Sequence, residues 1–213
     1  RINQFKGTQF AAVGSIGKSM SGENIPFIKI QHGDAPKPTL LLVAGIDGKH
    51  PAGVINSLDV VDRLLALPAD SLIQLLSNKS IWVVPLVNPD AYYRNSTTNI
   101  WNAGNARVID NDRDGRIDED PSKDLNGDKV IAQMRIKSIA GTHIEHPVFK
   151  EVLIEADRSK GERGTYLVDV EGVDLDFDGK YGEDGDGGVN LDRNFTFDYP
   201  AFYPESGSYA ASE

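Results

Sequence analysis

The 213-residue sequence predicts an α/β fold, a mixed central sheet flanked by helices, with a loop-rich acidic insertion. Three observations carry this reading. Short apolar runs bounded by turn residues, Ile25–Ile30, Thr39–Ile46 and Ile81–Val87, have the length and composition of buried strands. Between the last two, Val54, Leu58, Val61, Leu64 and Leu65 recur at helical spacing behind Pro51, a residue suited to the first helical position. From Asn102 to about Gly188 the texture changes to acidic, glycine-rich loops.

Taken in order, a strand, a crossover helix and a second strand form a βαβ unit, punctuated by Pro36-Lys37-Pro38 and Pro68. In the later region Val130–Ile136 and Thr165–Val170 are the clearest strands. Residues 102–187 are therefore read as an insertion on a single domain spanning 1–213. Hydrophobic residues make up 39% of the chain, with two Trp, eight Phe and seven Tyr, enough to build a core. No apolar run is long enough for a membrane span. The absence of cysteine excludes disulfides, thiolate metal sites and a cysteine nucleophile. A net charge of −10 argues against nucleic acid or anionic lipid as a partner. A chain starting at Arg1 is expected to be a processed form or a piece of something longer.

The charge is concentrated. Asp110 to Asp128 holds eight acids and three bases, and Asp174 to Asp186 holds six acids and one base, net −5 in each. Both stretches share one spacing: Asp110-x-Asp112-x-Asp114-Gly115 and Asp174-x-Asp176-x-Asp178-Gly179. Carboxylates at positions 1, 3 and 5 before a glycine at 6 are how a calcium loop wraps oxygens around a hard cation, with the position-7 carbonyl (Arg116 or Lys180) adding a ligand. Neither loop has Glu at position 12, so neither is a complete EF-hand. Asp118 with Glu119 or Asp120 could complete the first shell, and Asp184 the second. Asp124-Leu125-Asn126-Gly127-Asp128 is a shorter acidic turn that could add oxygens. The plainer reading is two solvated acidic turns. Paired spacing with little compensating base favours calcium.

Four further segments carry a resemblance. The strand Leu40–Ile46 runs into Asp47-Gly48-Lys49-His50-Pro51-Ala52-Gly53, and ligands in open α/β sheets bind at such carboxyl ends. This segment resembles the G-I-H-x-x-E region of the zinc carboxypeptidases, the carboxypeptidase A/B-like metallopeptidases. Gly17-Lys18-Ser19 with Ser21–Pro26 resembles that family's early hairpin, G-K-S-x-x-G-R-x-I. Val84-Pro85-Leu86-Val87-Asn88-Pro89-Asp90 resembles its P-x-x-N-P-D-G strand end, and Gly188–Phe195 its G-V-D-L-N-R-N-F segment. Bacterial members can carry an acidic D-x-D-x-D-G insertion between the last two.

The resemblance implies a zinc held by the His and Glu of H-x-x-E and a distant His, with a later Glu as general base. Here the pair is Asp47 and His50, one carboxylate and one imidazole in exchanged order. The pair that grips the substrate's terminal carboxylate corresponds to Asp192 and Arg193. Arg193 can still donate a bidentate pair, while Asp192 places a carboxylate where a donor is expected. Trp101 matches a family tryptophan, and the next residue, expected to be an oxyanion-stabilising arginine, is Asn102, with Arg107 as a possible substitute. Losing such a donor costs about 100- to 1,000-fold in rate. The resemblance also implies that the third zinc ligand and the general base lie beyond Glu213, in a chain that is C-terminally incomplete.

Other candidates carry less. Asp47 could simply cap the following helix, and His50 could be a turn residue. His143 and His146 have metal-like spacing in a stretch without a helix signal, which favours a solvated or packed pair over a metal site. Ser19 and Ser212 have no recognisable base partner, so nucleophilic catalysis is not supported. Two functions follow: a zinc carboxypeptidase with a variant metal site acting on peptide C-termini, or a catalytically inactive, calcium-stabilised binding or accessory module. Few-ligand calcium loops need roughly millimolar calcium. The expected location is therefore secreted, periplasmic or surface-attached, with partner proteins at a cell surface.

Overall fold

The computed structural model describes residues 1–98, 102–110, 115–117, 120–182, 188–201 and 203–213. It divides into two compact units, one of residues 1–109 with 187–213 and one of residues 110–186.

In the first unit β1 (Ala11–Lys18), β2 (Asn24–Ile30), β3 (Thr39–Val43) and β4 (Ser80–Val84) form one sheet in the order β1-β2-β4-β3. β1 and β2 make an antiparallel hairpin, β2 pairs antiparallel with β4, and β3 pairs parallel with β4, so the sheet is mixed as expected. The parallel crossover runs through α1 (Ala52–Leu65) and α2 (Ala69–Leu75). Alternation puts Ile28, Ile30, Ile81 and Val83 on one face, where they are buried with Val54, Leu58 and Val61 of α1, Leu72 of α2 and Leu76 just beyond it. Each such side chain contributes about 1.5–3 kcal/mol of apolar burial. On the opposite face Trp82 stacks with Phe27, while Leu41 and Val43 are exposed.

Two expected strands are shorter than predicted. The run from Thr39 leaves the regular ladder at Val43 because Gly45 takes φ +65°, a conformation suited to glycine. A Cβ there would also lie 3.0 Å from the Leu86 backbone. Ala44 and Gly45 still bond to Val84, Val87 and Asn88, so the two strand ends stay joined. The run from Ile81 ends at Val84, before Pro85, and the following Asn88-Pro89-Asp90 opens a helix, α3 (Pro89–Thr97). Asn88 accepts from the Ala91 N–H and Pro89 fills the first turn, a capping signature legible in the sequence.

In the second unit β5 (Gln133–Lys137), β6 (His143–Glu145), β7 (Leu153–Glu155) and β8 (Tyr166–Val170) form an antiparallel sheet in the order β5-β8-β6-β7. The strands expected at 130–136 and 165–170 are β5, which begins only at Gln133, and β8. Arg135 lies over the Tyr166 ring, whose hydroxyl donates to Glu145. Among the described residues of this unit no hydrophobic side chain is buried, and the buried side chains are two carboxylates, Asp120 and Glu171. This unit also carries 21 acidic residues against 11 basic ones, the whole of the net charge of −10.

Candidate functional site

In the first unit the loop after β3 is held on three sides. The Lys49 N–H donates to Asp47 Oδ1 (2.8 Å), and His50 Nδ1 lies 2.9 Å from Asp47 Oδ2. Gly48 packs so closely on α3 that a Cβ would lie 2.3 Å from Ala91 Cβ and 2.6 Å from the Tyr92 nitrogen, so only glycine fits. The His50 side chain is 70% exposed and that of Asp47 30%.

Asp192 and Arg193 sit in a short 3-10 turn, Leu191–Arg193, capped by Asn190 through the Asp192 N–H. Burial raises the Asp192 carboxyl above its ordinary value, the Asp47 charge raises it further, and Arg193 opposes both. The sequence-predicted metal pair and substrate pair are therefore within electrostatic reach of one another. The Arg193 guanidinium stacks on Tyr203, 4.0 Å from the ring centroid, a contact the sequence did not suggest.

The other substrate candidates are engaged locally. Asn102 Oδ1 accepts from the Gly104 N–H (2.6 Å), and its backbone exchanges two bonds with the Asn95 side chain. Arg107 Nε pairs with Glu213 Oε1 at 3.2 Å, and the buried Glu213 carboxylate also accepts from Asn105. Asp90, another residue the site reading missed, is buried and accepts from Ser21 Oγ and the Ala106 N–H. A concavity of about 530 Å³ at the ends of β3 and β4 is lined by Ile25, Val43, Ile46, Val87, Leu191 and Phe195, among others.

In the second unit the acidic loops share an internal pattern. The position-1 carboxylate accepts from the N–H five residues on: Asp110 from Gly115, Asp124 from Lys129 and Asp174 from Gly179. Asn126 and Asp176 each accept from the residue two ahead, as do Asp128 and Asp178. The 124–128 turn is thus a third loop of the same build. Asp120 of the first loop and Asp174 and Asp176 of the second, predicted as members of separate sites, come together with carboxylate oxygens within 4.8 Å of one another. Asp120 Oδ1 also accepts from the Leu175 N–H at 2.5 Å. Asp178 instead pairs with Lys180 Nζ (2.8 Å), which holds its carboxyl below the ordinary value. Glu171, absent from the predicted site, accepts from the Leu125, Asn126 and Ala132 N–H groups and closes the 124–132 segment. His146 Nδ1 accepts from the Val148 and Phe149 N–H groups, and His143 Nδ1 pairs with Thr142, so both imidazoles serve local structure. Trp101, Asp112, Asp114, Asp118, Glu119 and Asp184 lie outside the described residues.

A sequence model described as zinc carboxypeptidase matches residues 4–128, more than half of the chain. The chain belongs to the zinc carboxypeptidase family. No curated protein matches it. Among solved structures it is similar to carboxypeptidase A from Helicoverpa armigera, with 21% identity over 46% of this chain and 24% of that one and a TM-score of 0.41. It is also similar to a metallo-carboxypeptidase from Burkholderia cenocepacia (18%, 43% and 26%, TM-score 0.37) and one from Pseudomonas aeruginosa (21%, 43% and 24%, TM-score 0.37). The chain spans about a quarter of the length of these structures.

The zinc carboxypeptidase family implies zinc, and the donors at the family position are Asp47 and His50. Both are chemically acceptable ligands. As arranged, they do not fit the ion as a pair, because each is bonded to the other. Among the described residues, the group of three acidic or imidazole side chains whose ligand atoms converge is Asp120, Asp174 and Asp176, all oxygen donors. Such a set suits a hard cation.

Proposed function

We propose that this chain is part of a carboxypeptidase-type module that engages the C-terminus of a peptide or protein at the Asp192–Arg193 turn. In it the family's zinc-dependent hydrolysis is lost, and calcium stabilises the 110–186 unit. The observation that carries the reading is the exchange of the metal pair: Asp47 and His50 stand where the family has His and Glu, and they hold one another. Arg193, still present and stacked on Tyr203, is the cation that would receive a terminal carboxylate.

The calcium part is supported by a unit that buries carboxylates and no apolar side chain among its described residues. A unit of this size with no fully buried apolar side chain among its described residues needs another source of stability, and a metal is a common one. Arg116 and Lys180 would add backbone carbonyls, and Asp110 and Asp178 lie in the loops around the converging acids. No helix among the described residues is long and apolar enough to cross a membrane. Calcium at the concentrations such loops need is found outside the cell, so the protein is placed there, secreted, periplasmic or surface-attached.

A second reading, hydrolysis with a recentred metal, is favoured by Asp192, which brings another carboxylate into the field of Asp47. The test is binding of a peptide with a free C-terminus against its amidated twin, with mass spectrometry of the peptide after incubation. The proposed reading expects intact peptide, preference for the free acid and at least about tenfold weaker binding by Arg193→Ala, the scale of one lost charge-assisted contact. Release of the terminal residue would refute it in favour of the second.

A further inference from the structure

We infer that Asp47 and His50 form a carboxylate–imidazole dyad in place of a pair of zinc ligands. This rests on the family assignment and the loop geometry, not on the proposed peptide binding. An ionised carboxylate only accepts hydrogen bonds. Asp47 Oδ1 takes the Lys49 N–H at 2.8 Å and Oδ2 takes His50 Nδ1 at 2.9 Å, so each oxygen already holds a proton donor. His50 Nδ1 therefore carries a hydrogen, and the neutral imidazole has its lone pair on Nε2.

That assignment settles how many donors one ion could receive from the pair. A metal needs the lone pair of the coordinating nitrogen, which lies at the end of the ring facing away from Asp47. An ion there would have the imidazole between itself and the carboxylate. Asp47 would then orient a ligand without being one, the arrangement in which a carboxylate holds a histidine from behind. The family's motif, in contrast, delivers two donors to one zinc.

The loop also resists rearrangement. Gly48 leaves no room against Ala91 and Tyr92, and His50 is followed directly by Pro51, which caps α1. Turning Asp47 toward an ion would sacrifice its bonds to Lys49 and His50 while the backbone stayed pinned. Asp47 is thus a positioning residue that fixes one tautomer of His50, whose side chain is 70% exposed.

The test uses the whole 213-residue chain, labelled with ¹⁵N-histidine and kept in 10 mM calcium chloride to occupy the oxygen-donor loops. Long-range ¹H–¹⁵N spectra above the imidazole titration should show His50 with a protonated Nδ1 and an unprotonated Nε2. Asp47→Ala should release this preference, and zinc should bind the wild type no more tightly than a micromolar Kd. An Nε2–H tautomer in the wild type would overturn the inference. So would one equivalent of zinc bound below micromolar Kd and lost in both Asp47→Ala and His50→Ala. Should Asp47→Ala fail to fold, the wild-type tautomer and the zinc titration decide by themselves.

Discussion

Asp120→Asn should stabilise the acidic unit in EDTA and lose most of that advantage in calcium. Asp120 is 1% exposed, and its carboxylate lies within 4.8 Å of both Asp174 and Asp176. Two unit charges at that distance repel by about 1 kcal/mol in water and about 3 kcal/mol at an effective dielectric near 20. Asp174 and Asp176 are half-exposed, so the lower figure applies, and Asp120 takes part in two such pairs. Neutralising it should relieve about 1–2 kcal/mol in EDTA, since an asparagine oxygen can still accept from the Leu175 N–H. With calcium at ten times a Kd of about 1 mM, linkage gives the wild type about 1.4 kcal/mol, which the variant forfeits. Urea unfolding followed by circular dichroism, with amide hydrogen exchange at Leu175 as a local readout, measures both arms. Equal wild-type stability in EDTA and calcium would refute the reasoning, as would a calcium response of the same size in Asp120→Asn.

Two further outcomes are expected. Glu171→Ala removes the acceptor of three backbone N–H groups from a site only 5% exposed. At about 1.5–3 kcal/mol per bond to a charged group, and allowing for non-additivity, it should cost about 3–5 kcal/mol by urea titration, equally in EDTA and calcium. A loss under about 1 kcal/mol would contradict the assignment of Glu171 as the residue that closes the 124–132 segment. For Asp90, burial acts to raise the carboxyl pKa, but bonds from Ser19, Ser21 and the Ala106 N–H outweigh it and hold it below the ordinary value. A depressed folded pKa gives stability that is complete above the unfolded value, about 3.9, and is lost as pH falls through the folded one. Asp90→Asn should therefore flatten the fall of stability with pH below about 4, and an unchanged slope would show that the latch to the β1–β2 turn contributes nothing.

How much was legible depended on whether the signal was local. The apolar runs of β2, β3 and β4 and the periodic face of α1 were readable because alternation and helical spacing are local consequences of burial. Strand ends were misread where backbone conformation decided them, as at Gly45, whose positive φ no hydropathy pattern records. The start of α3 is legible in the sequence, since Asn88 followed by Pro89 is a cap and first turn, although the apolar run before it points only to a strand end. At the site, residue types and order revealed the exchange of Asp47 and His50, while their mutual bond required coordinates. Asp90 under the hairpin joins residues 69 positions apart, and Arg193 meets Tyr203 outside any regular element that would set their spacing, so no periodicity rule reaches either contact.

The acidic loops show the same division and carry the argument further. Spacing alone marks Asp110 and Asp174 as loop starts and 124–128 only as a shorter acidic turn, while in the structure Asp110, Asp124 and Asp174 each accept the N–H five residues on, because such a turn is a local structure. That Asp120 crosses to Asp174 and Asp176 is a tertiary fact. Once known, it joins two properties that would otherwise be separate: the unit with the entire net charge of −10 is also the unit without a buried hydrophobic side chain among its described residues. Self-repulsion opposes compaction there, and apolar burial, the usual counterweight, is only partial among the described residues. A cation at Asp120, Asp174 and Asp176 would remove the repulsion at the point of closest approach and tie the first loop to the second. If the unit stays folded after chelation, its backbone ladder and Glu171 must supply what the charges oppose, and Glu171→Ala in EDTA is then the substitution that unfolds it.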